Sequence, residues 1–232
     1  MSLPKIETKE GKSRLVEIHD DYVIKLPLNT DIDDIDELYE SLVLALNGNF
    51  ETAKEIFFWK TVQKYAFLKD YFAKILDYDL NKMTIKAEKL NPVDEEYFYK
   101  KFFSVYSKFY FSKYFLGPYL DNHTIDNSLN YGFDDTGRLK LLDYSFVTDY
   151  ILKLYDLKLE SIKTKEDLLN LEIKMFDDVL KNNNGLSQDL QTRLTAFVVT
   201  LKYHNNMPLF YYYSYKFKLL SFKEIWKAIW SK

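Results

Sequence analysis

The stretch from Asp126 to Asp143 carries the residues of this sequence best suited to chemistry on a phosphate group. Asn130 follows Asp126 by four residues, and Asp143 follows Asn130 by thirteen, across a segment that reads as a β-hairpin. Phosphoryl transfer needs a carboxylate that accepts the proton of the acceptor hydroxyl, and oxygen ligands that hold Mg²⁺ on the nucleotide phosphates. Asp126 is therefore the candidate base, and Asn130 and Asp143 are the candidate metal ligands.

The composition excludes several other kinds of site. The chain has 232 residues with no Cys, three His and six Gly, and aromatic residues make up 18% of it. The lack of cysteine excludes disulfides, thiolate zinc sites and thiol nucleophiles. The six separated glycines form neither a dinucleotide-binding fingerprint nor a P-loop. A net charge of −3 leaves no global basic field, so we do not expect a nucleic acid partner.

The sequence has no sign of a membrane or export signal. No run of 18 apolar residues is present, which argues against a transmembrane helix. The first residues, MSLPKIETKEGKSR, have no apolar core of the kind that secretory signals contain. We therefore expect a cytoplasmic protein with no membrane partner.

The first part of the chain predicts elements in the order β-β-α-α-β-β. Two strands, 15–18 and 22–26, flank a short polar break and read as a hairpin. Two helices follow at about 38–46 and 50–65, separated by Asn47-Gly48-Asn49. Two more strands, 73–78 and 83–88, are joined by a turn at 79–82.

The second part of the chain is predicted to be mainly helical. A long helix is expected over 95–115, a short strand pair at 129–133 and 139–142, and helices at about 165–181, 187–204 and 221–230. The fold class is therefore α+β. We expect one structural unit of two lobes, a small β-rich N-lobe at 1–90 and a larger α-helical C-lobe at 91–232, with a short connection at about 88–93.

Two aromatic segments admit more than one interpretation. The residues 97–115 interleave aromatic side chains with lysines, which could form a stacking platform for single-stranded nucleic acid. Their spacing is that of an amphipathic helix, so core packing is the favoured interpretation. The cluster 210–217 is either a packed helix or a surface for a partner.

The order of these motifs resembles that of the protein-kinase-like fold. The interval of 13 residues from Asn130 to Asp143 is the usual one in that family between the loop Asn and the metal-binding Asp. The strand leading to Asp143 is similar to the strand before the family's D-F-G motif. Asn130-Tyr-Gly-Phe133 looks like the form found in small kinase-like proteins of phages and prophages. The resemblance implies a two-lobed fold, ATP and Mg²⁺ as cofactors, and the host cytoplasm as the location if the protein is viral.

The resemblance assigns further residues in the N-lobe and at the connection. The strand that ends in Lys25 is similar to the V-A-I-K strand of kinases, so Lys25 would bind the α- and β-phosphates. Glu55 on the following helix would hold Lys25, with Glu51 as the reserve. Glu88 and Leu90 stand at the hinge, whose backbone binds adenine in the family. The resemblance covers about residues 10–147 and implies an active site between the lobes, with the catalytic-loop-like segment at 121–147.

The sequence departs from the family's pattern in the phosphate-binding loop and after the metal-binding Asp. Only Gly11 stands where the glycine-rich loop should be. Phosphate binding by backbone amides would then be weak, or would pass to Ser13 and Arg14. The H-R-D motif is absent, and Ser145 replaces the glycine of D-F-G.

The position of the catalytic base has two alternatives. Asp126 precedes Asn130 by four residues, whereas the family has five. In a competing register, Asp121 and His123 resemble the D-x-H-x-x-N motif of small-molecule phosphotransferases. That register would make Asp121 the base and put Asp126 at the Asn position. The interval from Asp126 to Asp143 is then 17 residues, which is too long, so Asp126 is favoured as the base.

Two functions follow from these residues. The first is an ATP- and Mg²⁺-dependent phosphotransferase whose acceptor, a protein hydroxyl or a small molecule, is unknown. The alternative is a pseudokinase-type binding or regulatory module without phosphotransfer, which the departures from the family's pattern favour. A third interpretation, an all-helical interaction protein, ranks last because 15–26 and 73–88 have the wrong period for a helix.

Overall fold

The computed structural model describes residues 6–11, 13–28, 35–110, 113–116, 125–144, 170, 174 and 186–230, and all structural statements below refer to these residues. The fold is α+β, as predicted. The chain divides into two compact units, which are described separately. The first contains the described residues up to Thr61, Ala73–Lys89, Tyr144, Asn170 and Lys174; the second contains the described residues of Val62–Phe72, 90–143 and 186–230. This division differs from the predicted one in placing Val62–Phe72 in the second unit and Tyr144, Asn170 and Lys174 in the first.

The first unit is built on a five-stranded antiparallel sheet. The strand order is β1-β2-β3-β5-β4, so β3 is central and pairs with β2 on one side and β5 on the other. Both predicted hairpins are confirmed, and an additional edge strand precedes the first of them. The strands are β1 (Glu7–Glu10), β2 (Arg14–Ile18), β3 (Tyr22–Pro27), β4 (Ile75–Asp79) and β5 (Thr84–Glu88).

A single helix, α1 (Ile35–Val62), connects β3 to the later strands of the sheet. The predicted break at Asn47-Gly48-Asn49 is wrong. A glycine flanked by asparagines is typical of a helix break, but here a Cβ atom at Gly48 would overlap the carbonyl oxygen of Ser13 in the turn before β2. Gly48 therefore permits a close approach of helix and turn, and this contact offsets the roughly 1 kcal/mol that glycine costs in a helix.

The second unit combines a small antiparallel sheet with helices. The sheet order is β6-β7-β8, and β7 and β8 form the predicted hairpin around 134–137. The predicted long helix begins at Glu95, but its second turn is π-helical over Phe98–Phe103. Nearly all of the predicted helix 165–181 lies outside the described residues. The elements are β6 (Asn91–Pro92), α2 (Glu95–Tyr97), α3 (Ser104–Tyr110), β7 (Tyr131–Phe133), β8 (Leu139–Leu141), α4 (Gln188–Tyr203), α5 (Met207–Lys216) and α6 (Phe222–Trp230).

Aromatic side chains fill the core of the second unit. Phe102 packs against Tyr106, Tyr131 and Phe197 with ring centroids 5.1–6.2 Å apart, and all four rings are buried. Phe98 and Phe109 are also fully buried. Buried rings cannot stack on nucleic acid bases, so the favoured interpretation of this segment as core is confirmed for these residues. Within the described ranges, no helix is both long and apolar enough to cross a membrane.

Gly48→Ala is expected to destabilise the first unit, although alanine is the better helix former. The new Cβ atom would overlap the Ser13 carbonyl, so the turn before β2 must shift, at a cost of about 1–3 kcal/mol. Urea unfolding followed by far-UV circular dichroism measures the change. Gln188→Ala, at an exposed position in the first turn of α4, is the control and should change stability by less than about 0.5 kcal/mol. A stabilised Gly48→Ala variant would contradict the proposed contact.

Candidate functional site

Lys25 and Glu55 form a buried ion pair in the first unit. Lys25 lies in the central strand β3, where its neighbours across the sheet are Val16 and Ile85. Its Nζ atom donates to Oε1 of Glu55 on α1 at 2.5 Å, and both side chains are almost completely buried. The structure thus brings together the two residues that the sequence predicts to pair.

Arg14 extends this pair into a network of four charges. Its Nη1 atom lies 2.7 Å from Oε2 of Glu55, and its Nε atom lies 3.2 Å from Oε2 of Glu51. Two cations from β2 and β3 therefore face two carboxylates that lie one helical turn apart on α1. Buried charges are tolerated only when they are paired, and here the formal charges cancel. We call Arg14, Lys25, Glu51 and Glu55 the ion network.

The turn between β1 and β2 contains the other residues predicted to contact phosphate. The amide of Gly11 donates to the carbonyl of Arg14 at 2.8 Å, which closes the turn. The Ser13 hydroxyl donates to Glu51 Oε2 at 2.6 Å. Ser13 and Arg14 were predicted to take over phosphate binding, but in the structure their side chains contact the carboxylates of α1.

The predicted hinge residues belong to different units. Glu88 ends β5, where its amide donates to the carbonyl of Lys74 at 2.9 Å and its carboxylate accepts from the Lys74 amide at 2.7 Å. Leu90 begins the second segment of the second unit. It packs so closely on Gly132 that a Cβ atom added to Gly132 would lie 2.5 Å from the Cβ atom of Leu90. Adenine binding by the backbone of Glu88 and Leu90 stays a prediction.

The predicted metal ligands flank the β7–β8 hairpin of the second unit. Asn130 ends a 3₁₀ turn directly before β7, and its carbonyl accepts a 2.7 Å hydrogen bond from the amide of Leu142. Asp143 is the next residue along the chain. The antiparallel register of the hairpin, with Tyr131 opposite Leu141, therefore brings the backbones beside Asn130 and Asp143 together.

Asp126 lies one short turn before Asn130, in a segment that two tyrosines hold. The Tyr131 hydroxyl donates to the carbonyl of Ile125 at 2.9 Å, and the Tyr99 hydroxyl donates to the carbonyl of Asp126 at 3.2 Å. These contacts restrain the backbone and leave the Asp126 carboxylate half-buried. The competing base, Asp121, and His123 lie outside the described residues, as does Ser145.

Asp134 and Lys140 stabilise the hairpin that carries these residues. Asp134 accepts hydrogen bonds from the Thr136 amide at 3.0 Å, the Thr136 hydroxyl at 2.6 Å and the Arg138 amide at 2.9 Å. Its other oxygen lies 3.2 Å from the buried Lys140 ammonium. Desolvation alone would raise the pKa of Asp134, but these donors and the ammonium together lower it to about 2.

The described residues contain no cluster of three or more His, Cys, Asp or Glu that could hold a metal ion. Asn130 and Asp143 would supply one amide and one carboxylate. Mg²⁺ commonly takes its remaining ligands from water and from the phosphates of a substrate, so a pair of this kind fits a nucleotide-bound ion.

A cavity of about 820 Å³ lies within the second unit but does not include the predicted site residues. Aromatic rings make up much of its wall, with Arg138 and Lys202 as its basic residues. His204 lies in this wall, where its Nε2 atom is hydrogen-bonded to the Tyr97 hydroxyl at 2.6 Å. Desolvation lowers the pKa of His204, which favours the neutral ring. None of the residues predicted to bind nucleotide lines this cavity.

The structure groups the predicted residues into two sets. Lys25 and Glu55 are paired in the first unit. Asp126, Asn130 and Asp143 lie in the second unit, before and after the β7–β8 hairpin. The sequence motifs do not predict that Arg14 shares Glu55 with Lys25. The four-residue spacing of Glu51 and Glu55 could have indicated it, because this spacing puts two carboxylates on one helix face and two such carboxylates predict two facing cations.

Comparisons with known proteins do not assign the chain to a family. No family of known proteins matches the sequence, and no curated protein matches it. Function is therefore argued from the chain's own residues.

Glu55→Gln is expected to destabilise the protein strongly. The amide removes a buried negative charge and leaves Arg14 and Lys25 with Glu51 as the remaining carboxylate of the network. Breaking a buried ion pair at one partner costs about 3–5 kcal/mol, and urea unfolding measures the loss. Glu96→Gln is the matched control, because Glu96 also pairs with a lysine on a helix but is exposed. The control should lose less than about 0.5 kcal/mol; equal losses in the two variants would contradict the network's role.

Asp134→Asn is expected to remove part of the acid sensitivity of the second unit. The pKa of Asp134 is lowered from 3.8 to about 2, so its ionised form stabilises the native state above pH 4, and this contribution is lost as the pH falls towards 2. Stability measured from pH 6 to 2 should differ most between wild type and variant at pH 6, and the difference should shrink on acidification. A difference that does not depend on pH would contradict this assignment.

Proposed function

We propose that this protein is an ATP- and Mg²⁺-dependent phosphotransferase with a two-lobed protein-kinase-like fold. The observation that carries the proposal is the buried Lys25–Glu55 pair, which joins the central strand of an antiparallel sheet to the helix that follows it. The family resemblance implies this pairing from sequence order alone. In this proposal, the protein acts in the cytoplasm, where ATP is present, and transfers the phosphoryl group to a protein hydroxyl or to a small molecule.

The Lys25–Glu55 pair has the chemistry that phosphate binding requires. A lysine held by a carboxylate has a fixed direction, so it can meet a phosphate oxygen without first being ordered. In the proposal, Lys25 contacts the α- and β-phosphates and Glu55 positions it.

The second unit supplies the proposed metal ligands and the proposed base. Asn130 and Asp143 hold Mg²⁺ on the phosphates, and the β7–β8 hairpin supports them by joining the Asn130 carbonyl to the Leu142 amide. Asp126 orients the acceptor hydroxyl and accepts its proton. Glu88 and Leu90 contribute backbone groups to adenine binding.

A pseudokinase-type binding or regulatory module is the second candidate. Arg14 and Ser13 favour it, because their contacts with Glu51 and Glu55 hold the turn between β1 and β2 against α1. A turn held in this way does not direct its backbone amides towards a phosphate group, as a flexible glycine-rich loop does. The sequence departures at Gly11 and Ser145 point in the same direction.

Asp143→Asn is expected to remove the dependence of ATP binding on Mg²⁺. Isothermal titration should show at least tenfold tighter binding of ATP to the wild type with Mg²⁺ than with EDTA, and the variant should lose this difference. Asp135→Asn, an exposed substitution in the same hairpin, is the matched control and should bind as the wild type does. A thermal shift is a second readout, since ATP at 100 times its Kd should stabilise by about 2.7 kcal/mol. Unchanged MgATP binding by Asp143→Asn would overturn the metal assignment.

Turnover distinguishes the two candidate functions. Transfer of ³²P to a peptide library or to small-molecule alcohols, lost in Asp126→Asn, supports the phosphotransferase. MgATP binding without transfer to any of these acceptors supports the binding module. A protein with no detectable affinity for ATP at millimolar concentration would contradict the phosphotransferase.

A further inference from the structure

Helix α6 presents an exposed aromatic face. Phe222, Trp226 and Trp230 follow one another at four-residue spacing, with ring centroids 6.1 and 5.5 Å apart, and Ile229 lies beside them on the same face. Their exposed fractions are 66, 56, 69 and 47%, respectively. Four large apolar side chains on nine residues form a contiguous patch rather than scattered surface hydrophobes.

The helix is fixed to the second unit by a different face. Ile225 is buried, and the residues before the helix belong to the core, since Leu219 is buried in it and Leu220 packs against it. Ser221 caps the helix in a reciprocal arrangement: its amide donates to the Glu224 carboxylate at 2.7 Å, and its hydroxyl accepts from the Glu224 amide at 3.3 Å. The aromatic face is therefore presented by an anchored helix.

The segment that carries this helix is strongly basic. Residues 216–232 contain five lysines and a single acidic residue, in a chain whose net charge is −3. That acidic residue is Glu224, which caps the helix, and its hydrogen bonds with Ser221 lower its pKa. Lys223 and Lys227 both lie beyond Trp230 on one side of the aromatic face, so cations border the apolar patch along that edge.

We propose that the aromatic face of α6, formed by Phe222, Trp226, Ile229 and Trp230, binds the surface of an anionic lipid bilayer. A surface-lying membrane helix combines bulky apolar side chains on one face with lysines on the other, and binds through apolar burial and attraction to anionic lipids. Tryptophan is the residue most typical of the boundary between hydrocarbon and headgroups, where its ring is buried and its N–H stays near water. Lysine stems extend over the apolar layer and leave their ammonium groups among the lipid phosphates.

The lysines favour a bilayer over a second copy of the chain as the partner of the aromatic face. A symmetric dimer through the aromatic face would bring the lysines of both copies together, and this repulsion would oppose association. An anionic surface instead pairs with them. The sequence expectation of no membrane partner rested on the lack of a spanning segment, and binding at the surface requires only one apolar helix face.

The test is sedimentation of the full chain with vesicles. The wild type should bind phosphatidylcholine vesicles that contain one third phosphatidylglycerol at least tenfold more tightly than pure phosphatidylcholine vesicles. Raising NaCl from about 0.05 to about 0.5 M should weaken this binding. Trp59 is buried, so Trp226 and Trp230 report contact by a blue shift of the tryptophan emission.

Two variants separate the apolar and the electrostatic parts of the interaction. Trp226→Ser with Trp230→Ser should weaken binding at least tenfold, and Lys223→Glu with Lys227→Glu should remove the preference for anionic vesicles. Because the charge variant leaves the aromatic face intact, it tests the proposal even if the tryptophan variant fails to fold. The control combines Leu76→Ser with Lys82→Glu, which replaces an exposed leucine and an exposed lysine in the first unit and should bind as the wild type does.

Two outcomes would overturn the proposal. One is vesicle binding by the wild type that neither the tryptophan variant nor the charge variant changes. The other is the absence of vesicle binding by the wild type, which could be accompanied by a wild-type dimer in sedimentation velocity that the tryptophan variant converts to a monomer. Such a dimer would assign the aromatic face to a second copy of the chain.

Discussion

Charge balance within the ion network is the constraint on which the first unit depends. Arg14 and Lys25 come from neighbouring strands, and Glu51 and Glu55 come from one face of α1, with all four side chains largely removed from water. Rotating the helix by one residue would turn both carboxylates away from Arg14 and Lys25 and break these buried ion pairs, at a cost of several kcal/mol. Gly48 lies one turn before Glu51 on the same side, where the helix approaches the turn before β2. The network and this close approach therefore specify the same rotation of the helix.

The second unit relies on apolar packing and uses charge mainly in one hairpin. Rings from the segment 98–109 and from α4 fill its core, and their large contact area does not depend on pH. The β7–β8 hairpin is different, because Asp134 collects three hydrogen bonds from the turn and lies beside the buried Lys140. The strands of this hairpin pack in the core through Tyr131, Leu139 and Leu141, and the Asp134 contacts fix the turn between them. Both contributions hold the backbone positions beside Asn130 and Asp143.

Local signals in the sequence predicted the elements well, and tertiary contacts account for what they missed. The two hairpins of the first sheet, the β7–β8 pair and the helices α4 and α6 follow from periodicity, turn residues and caps such as Ser187 and Ser221. Gly48 was misread because a glycine that breaks a helix and one that permits close packing look alike in sequence. The pairing of Lys25 with Glu55 was predicted from motif order, whereas the part played by Arg14 was not. An arginine that directly follows a turn carries no local mark of which carboxylate, 41 positions away, will face it.

The position of Arg14 also affects whether a nucleotide bound at Lys25 needs a metal cation to balance its charge. A carboxylate has two oxygens, and Glu55 uses Oε2 for Arg14 and Oε1 for Lys25, so Arg14 does not displace Lys25 from its partner. The formal charge of the network is zero, because two cations face two carboxylates. Lys25 alone cannot balance the several negative charges of a triphosphate, because its positive charge is already partly offset by the carboxylate of Glu55. A nucleotide that binds at Lys25 therefore needs a compensating cation of its own, which is the electrostatic reason why the proposed site requires Mg²⁺ together with ATP.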